Sequence, residues 1–170
     1  MDSIVGISDG EAINARGGRA QILTSTIFGS IMMQRLEASN SIFMGKVDVE
    51  RQQVGCMRFC SLSDIDSSRT PRRYRCQPDL ALMGIPESET GERAHVKGRL
   101  KPVFTSIEYG DPAYAQLSVG CAIEIRTGAE DGSEIGVFSK LKQPQREANV
   151  RTALKEYLPF GLETGIIYVT

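Results

Sequence analysis

Two short segments concentrate the side chains that could do chemistry. Arg69 to Arg75, RTPRRYR, places four arginines (Arg69, Arg72, Arg73 and Arg75) and a tyrosine in seven residues. Guanidinium groups hold phosphate or carboxylate through paired hydrogen bonds. The run therefore reads in three ways: ion pairs with acids of this chain or a neighbouring subunit, a solvated loop, or a site for a polyanion. Gly128 to Gly136, GAEDGSEIG, sets Glu130, Asp131 and Glu134 between glycines. It lacks the alternating ligands and final bidentate acid of an EF-hand. A structural turn, or an acidic partner for Arg72, Arg73 and Arg75, stands ahead of a Ca²⁺ loop.

The remaining candidates are thinner. Cys56 and Cys60 would need Cys76, Cys121 or His95 to complete a zinc site, and no second close pair stands behind them. His95, the single histidine, falls in the most loop-like stretch and reads as solvated. Asp48 and Glu50 share one strand face, a spacing a glycosidase could use but that any solvated strand also shows. The expectation is no catalytic residue, no metal and no cofactor.

Composition narrows the class. The chain has 170 residues, 41% hydrophobic, with 20 Lys and Arg against 21 Asp and Glu and a formal net charge of -1. That balance, with no basic surface flanking the arginine run, argues against nucleic acid as a partner. Four cysteines are too sparse for a disulfide scaffold. The first 18 residues, MDSIVGISDGEAINARGG, resemble neither a signal peptide nor a membrane span, so the expectation is cytoplasmic synthesis without Sec export, compatible with later release in an extracellular particle.

The elements that would position these groups are mostly strands. Residues 1 to 62 show short apolar pulses between glycine or polar corners, and Thr26-Ile27-Phe28-Gly29 laid over Ser41-Ile42-Phe43-Met44-Gly45 suggests a 15-residue repeat. Such pulses suit a β-solenoid or an antiparallel sandwich equally. In residues 1 to 24 strands of three to five residues are expected between Asp-Gly and Gly-Gly turns. In Val54 to Leu62, alternation turns Met57 and Phe59 inward and sets Cys56, Arg58 and Cys60 on the other face, so that the two cysteines face outward or into a shallow packing layer. Residues 63 to 100 read as a Pro-containing charged connection and a solvated loop. Further strands are expected in Lys101 to Tyr109, Ala113 to Ile125 and Val137 to Leu141. Pro144 opens a helix whose apolar stripe is Val150, Leu154, Tyr157 and Leu158, Pro159 ends it, and Ile166 to Val169 reads as a terminal strand.

The segments RTPRRYRCQPDLAL (Arg69 to Leu82), FTSIEYGDPAYAQLS (Phe104 to Ser118), IRTGAEDGSEIGVF (Ile125 to Phe138) and QPQREANVRTALKEYLPFGLETGIIYVT (Gln143 to Thr170) carry a resemblance. Over its C-terminal two thirds the chain resembles a bacterial family associated with phage-tail-like contractile injection system loci. The resemblance implies a mainly β, right-handed parallel β-helix (β-solenoid) with one C-terminal α-helix and a terminal strand, in a single domain. It also implies a non-enzymatic structural or accessory part of a tail-like particle, partnered by copies of itself or by other particle proteins. A carbohydrate-binding or carbohydrate-cleaving tail-spike-like β-helix, with a glycan partner, is the alternative. No catalytic residue comes with the family. Residues 1 to 23 would form an end on which a further coil stacks, or an assembly surface.

Overall fold

The computed structural model describes residues 3–158 together with Leu162 and Gly165. Its strands are β1 (Ser3–Leu23), β2 (Ser25–Ser39), β3 (Ile42–Phe43), β4 (Val47–Val49), β5 (Gly55–Leu62) and β6 (Tyr74–Gln77). Every pairing between them is parallel, which rules out the antiparallel sandwich. The chain winds as a β-solenoid of about four turns, each coil stacking like residues on like. Along one face Val5, Ile27, Phe43 and Leu62 are successive register partners. Along the second, Ile13, Ile31 and Val47 line up beside Ala15, Met33 and Val49. Along the third, Ile22, Ala38, Met57 and Tyr74 follow one another. A single coil has nothing to bury its inward side chains against, so stacking is what makes these columns a core.

The repeat is 16 residues where coils 2 and 3 meet, not 15: Ile27 lies under Phe43 and Ile31 under Val47. Aligning Phe28 with Phe43 loses one residue, and in a strand that reverses every side chain. Phe28 in fact faces out. The first coil is longer, with register shifts after Gly6, Glu11 and Ala15. The Asp-Gly and Gly-Gly sequences are thus bulges in one continuous β1 and do not separate short strands. Among the described residues β1 is bonded on one side only, to β2.

A corner between the third and first faces recurs at Thr24, Asn40 and Phe59, with φ of 45°, 52° and 52°. This left-handed residue interrupts the alternation in β5. Met57 is buried as expected, but Phe59 sits on the corner, and Cys60 and Leu62 turn into the core. Cys60, expected outward or in a shallow packing layer, is therefore wholly buried in the core.

The stretch expected to be a connection and loop is more ordered. Tyr74–Gln77 supplies the fourth coil on the third face, followed by α1 (Asp79–Leu82) and α2 (Thr90–Arg99). Gly91 and Gly98 hid this helix from the sequence by their low propensity. It is held by tertiary contacts: Arg93 donates to the carbonyls of Leu82 and Ile85, Lys97 reaches Asp66 at 2.6 Å, and Arg99 reaches Glu124 at 2.6 Å.

Residues 101–142 do not form the strands expected of them. Phe104 bridges Leu117 and Ser106 bridges Tyr114, and Ile123–Arg126 is a short helix, α3. The segment docks on the outer side of the first face, where Leu117, Cys121, Ile125 and Ile135 cover Ile42. Leu117, Cys121 and Ile125 are spaced by four, and the residues between, Val119 at 45% and Ile123 at 59%, stay exposed. A period-two reading fitted the same letters, and docking selected period four. Phe28 packs between Phe104 and Tyr114, with ring centroids 5.1 and 5.7 Å away. Ser139–Leu141 is a 3-10 turn, not a strand. Helix α4 (Gln143–Tyr157) forms as expected with Pro144 in its first turn, but Val150 and Tyr157 of its stripe are exposed. Ile166 to Val169 and Pro159 lie outside the described residues. No helix among the described residues is long and apolar enough to cross a membrane.

Candidate functional site: an arginine face on the solenoid

The outward positions of the third face gather several arginines into adjacent columns. Alternation places Arg19, Gln21 and Leu23 outward in β1, Arg35, Glu37 and Ser39 in β2, Cys56 and Arg58 in β5, and Arg73 and Arg75 at β6. Arg58 and Arg75 are register partners. Parallel strands lie about 4.8 Å apart, and Arg73 and Arg75 are separated by about 6.7 Å along the strand. Arg58, Arg73 and Arg75 are exposed and hold no ion pair among the described residues. Glu37, the one acid in these columns, is held by Arg19 at 2.9 Å. The Nε of Arg35 is buried without a hydrogen-bond partner among the described residues. Leu23 and Val54 add exposed apolar surface beside the arginines, the mixture that interfaces favour.

The four arginines of the sequence motif thus part company. Arg73 and Arg75 join the third face. Arg69 lies on the second face beside Asp48, 3.9 Å away, and Lys46 shares that carboxylate at 3.5 Å. Arg72 is at the corner between, its backbone bonded to Gln52. Arg19, Arg35 and Arg58 were missed as partners of Arg73 and Arg75 because they lie 15 or more residues away in sequence; only the coil register brings them together. Asp48 is balanced by two cations, and Glu50 is exposed.

The acidic loop does not meet the arginines. Asp131 accepts from the Ser133 amide and hydroxyl, which holds its carboxyl below the ordinary range, and it pairs with Lys142 at 3.5 Å. The amide of Glu130 donates to Asn40 Oδ1 at 2.9 Å, and that of Gly136 donates to the Asn40 carbonyl at 3.0 Å. The loop is therefore a turn that fastens the C-terminal segment to a solenoid corner. Glu134 is buried elsewhere, near Arg126.

Cys60, Cys76, Cys121 and His95 lie apart from the outward arginine columns. All four cysteines are free. Cys60 and Cys76 are neighbours in the solenoid core, and burial pushes the Cys60 thiol well up. Cys121 belongs to the second core and His95 is exposed on α2. No three His, Cys, Asp or Glu side chains among the described residues are gathered so as to hold a metal. Compared with protein-family models, curated proteins and solved structures, the chain finds no match.

Proposed function

We propose that the protein is a non-enzymatic structural or accessory component of a phage-tail-like contractile injection particle, and that it docks through its arginine face on an acidic surface of another particle protein or of a second copy. The particle context comes from the sequence resemblance. The docking mode is supported by one observation: three guanidinium groups, of Arg58, Arg73 and Arg75, stand without an ion pair among the described residues on a sheet whose register is fixed by the core beneath it. A rigid platform of this kind loses little conformational freedom on binding. Carboxylates at alternate positions of a partner strand repeat at the same 6–7 Å, so bidentate pairs can form side by side.

The test is sedimentation of particles from producing cells, with the chain followed by antibody. The wild-type chain is expected in the particle fraction, and the folded Arg58→Glu, Arg73→Glu, Arg75→Glu variant in the supernatant. A wild-type chain that never sediments with particles removes the assignment. A triple variant that sediments like wild type removes the arginine docking mode, and arginine-independent capture on a glycan array would replace it with the tail-spike reading.

A further inference from the structure

We propose that the cavity between residues 116–126 and the first half of α4 binds a small zwitterion, its ammonium group held by Glu134 and its carboxylate by Arg146. The cavity measures about 370 Å³ and is lined by both residues, a size that suits an amino-acid-sized molecule. Glu134 is 6% exposed, its carboxyl makes no hydrogen bond among the described residues, and it lines the cavity beside Arg126. A carboxyl in so dry a place gains from a cation that reaches it.

The charges around it are already committed. Arg126 donates to the Val119 carbonyl at 3.2 Å and reaches Glu147 at 3.2 Å, and Glu147 also holds Arg151 at 2.9 Å. Glu134 and Arg146 remain as two groups of opposite sign without an ion pair among the described residues. Gln116 and Gln143 add amides to the wall, and Val119 and Val150 add apolar surface for a short methylene chain. Arg146, exposed on the wall of the same cavity, is the cation placed to meet the carboxylate of a molecule whose ammonium group reaches Glu134.

Desolvation lifts the Glu134 carboxyl to about 7, with Arg126 opposing. Arg126 of α3, Glu147 and Arg146 of α4, and Cys121 beneath are the charged or titratable groups facing it. An ammonium group prefers the ionised carboxylate. Affinity should therefore rise about tenfold from pH 6 to pH 8, as the ionised fraction grows from about 9% to about 91%.

Calorimetric titration of the full chain with γ-aminobutyrate and 5-aminovalerate, against butylamine, butyrate and glucose, tests this. The two zwitterions are expected to bind best, with the stated pH dependence. Glu134→Gln should weaken them at least tenfold and flatten the pH profile, with the fold checked by circular dichroism. Arg146→Gln should reduce γ-aminobutyrate to the level of butylamine while leaving butylamine unchanged. Absence of binding at millimolar concentration, equal binding by wild type and Glu134→Gln, or glucose binding as well as the zwitterions would each overturn the proposal.

Discussion

Arg58 of β5 is the register partner of Arg75 of β6, so two exposed guanidinium groups ride one parallel strand apart on the same face. The register is set from the other side of the sheet, where Met57 is aligned with Tyr74 in the core. Shifting it by one residue would bring the arginines inside. The core thus holds like charges together at a distance they would not choose, at a cost in water of roughly 1 kcal/mol or less.

Neutralising this pair should not harm the fold. Arg58→Gln with Arg75→Gln is expected to leave unfolding free energy unchanged or raise it by up to about 0.5 kcal/mol at low salt, with the gain vanishing at high salt. Urea denaturation at two salt concentrations measures it. A loss above about 1 kcal/mol would mean that the arginines are anchored within the chain and are not free for a partner.

Asn40 should behave as a fastener between the solenoid and the C-terminal segment. It occupies the left-handed corner, which asparagine tolerates better than other non-glycine residues, and its side chain accepts the Glu130 amide. Asn40→Ala loses both advantages and should cost about 2 kcal/mol; Asn40→Gly keeps the backbone freedom and should cost about 1 kcal/mol. Thermal unfolding that ranks glycine below alanine would contradict this division.

The solenoid was legible in sequence because its core columns repeat: Ile27, Ile31 and Met33 are answered by Phe43, Val47 and Val49. The repeat length was misjudged because the corner at Asn40 adds a residue that neither strand displays. Cys60 was misplaced for the same reason, since alternation assumes a strand without a corner and Phe59 is one. The second core was hidden in another way. Leu117, Cys121 and Ile125 satisfy periods of two and four together, and only the outer surface of Ile42 decides between them. The arginine face was half legible: Arg73 and Arg75 stand in one motif, whereas Arg58 joins them through the coil register.

Two glycines should respond oppositely to alanine. Gly55 has a φ of 100°, and a Cβ there would collide with the Leu36 carbonyl of the coil below. Gly91 is exposed inside α2 with nothing near its missing Cβ. Gly55→Ala should destabilise by several kcal/mol or prevent folding, whereas Gly91→Ala should stabilise by about 0.5 to 1 kcal/mol. Paired chemical denaturation of the two variants measures this, and a neutral Gly55→Ala would show that the coils are not stacked at this register.

Stability should fall as pH rises through the range set by Glu134. In the unfolded chain this carboxyl ionises near its ordinary 4.5, whereas burial lifts it to about 7 in the fold. Between those values the folded state keeps a proton that the unfolded state has released, so unfolding is favoured progressively until the folded carboxyl also ionises. Its contribution is complete below pH 4.5 and gone above about 7, amounting to roughly 1–2 kcal/mol after allowing for solvent screening at the cavity mouth. Asp79, also lifted by burial, acts with the same sign from 3.8 upward. The informative quantity is therefore the difference between wild type and Glu134→Gln, measured by urea denaturation from pH 4 to pH 8.5. The amide variant should match wild type within about 0.5 kcal/mol at pH 4 and exceed it by about 1–2 kcal/mol at pH 8. A difference that does not change with pH would show that Glu134 finds a partner in solution and that its burial carries no proton.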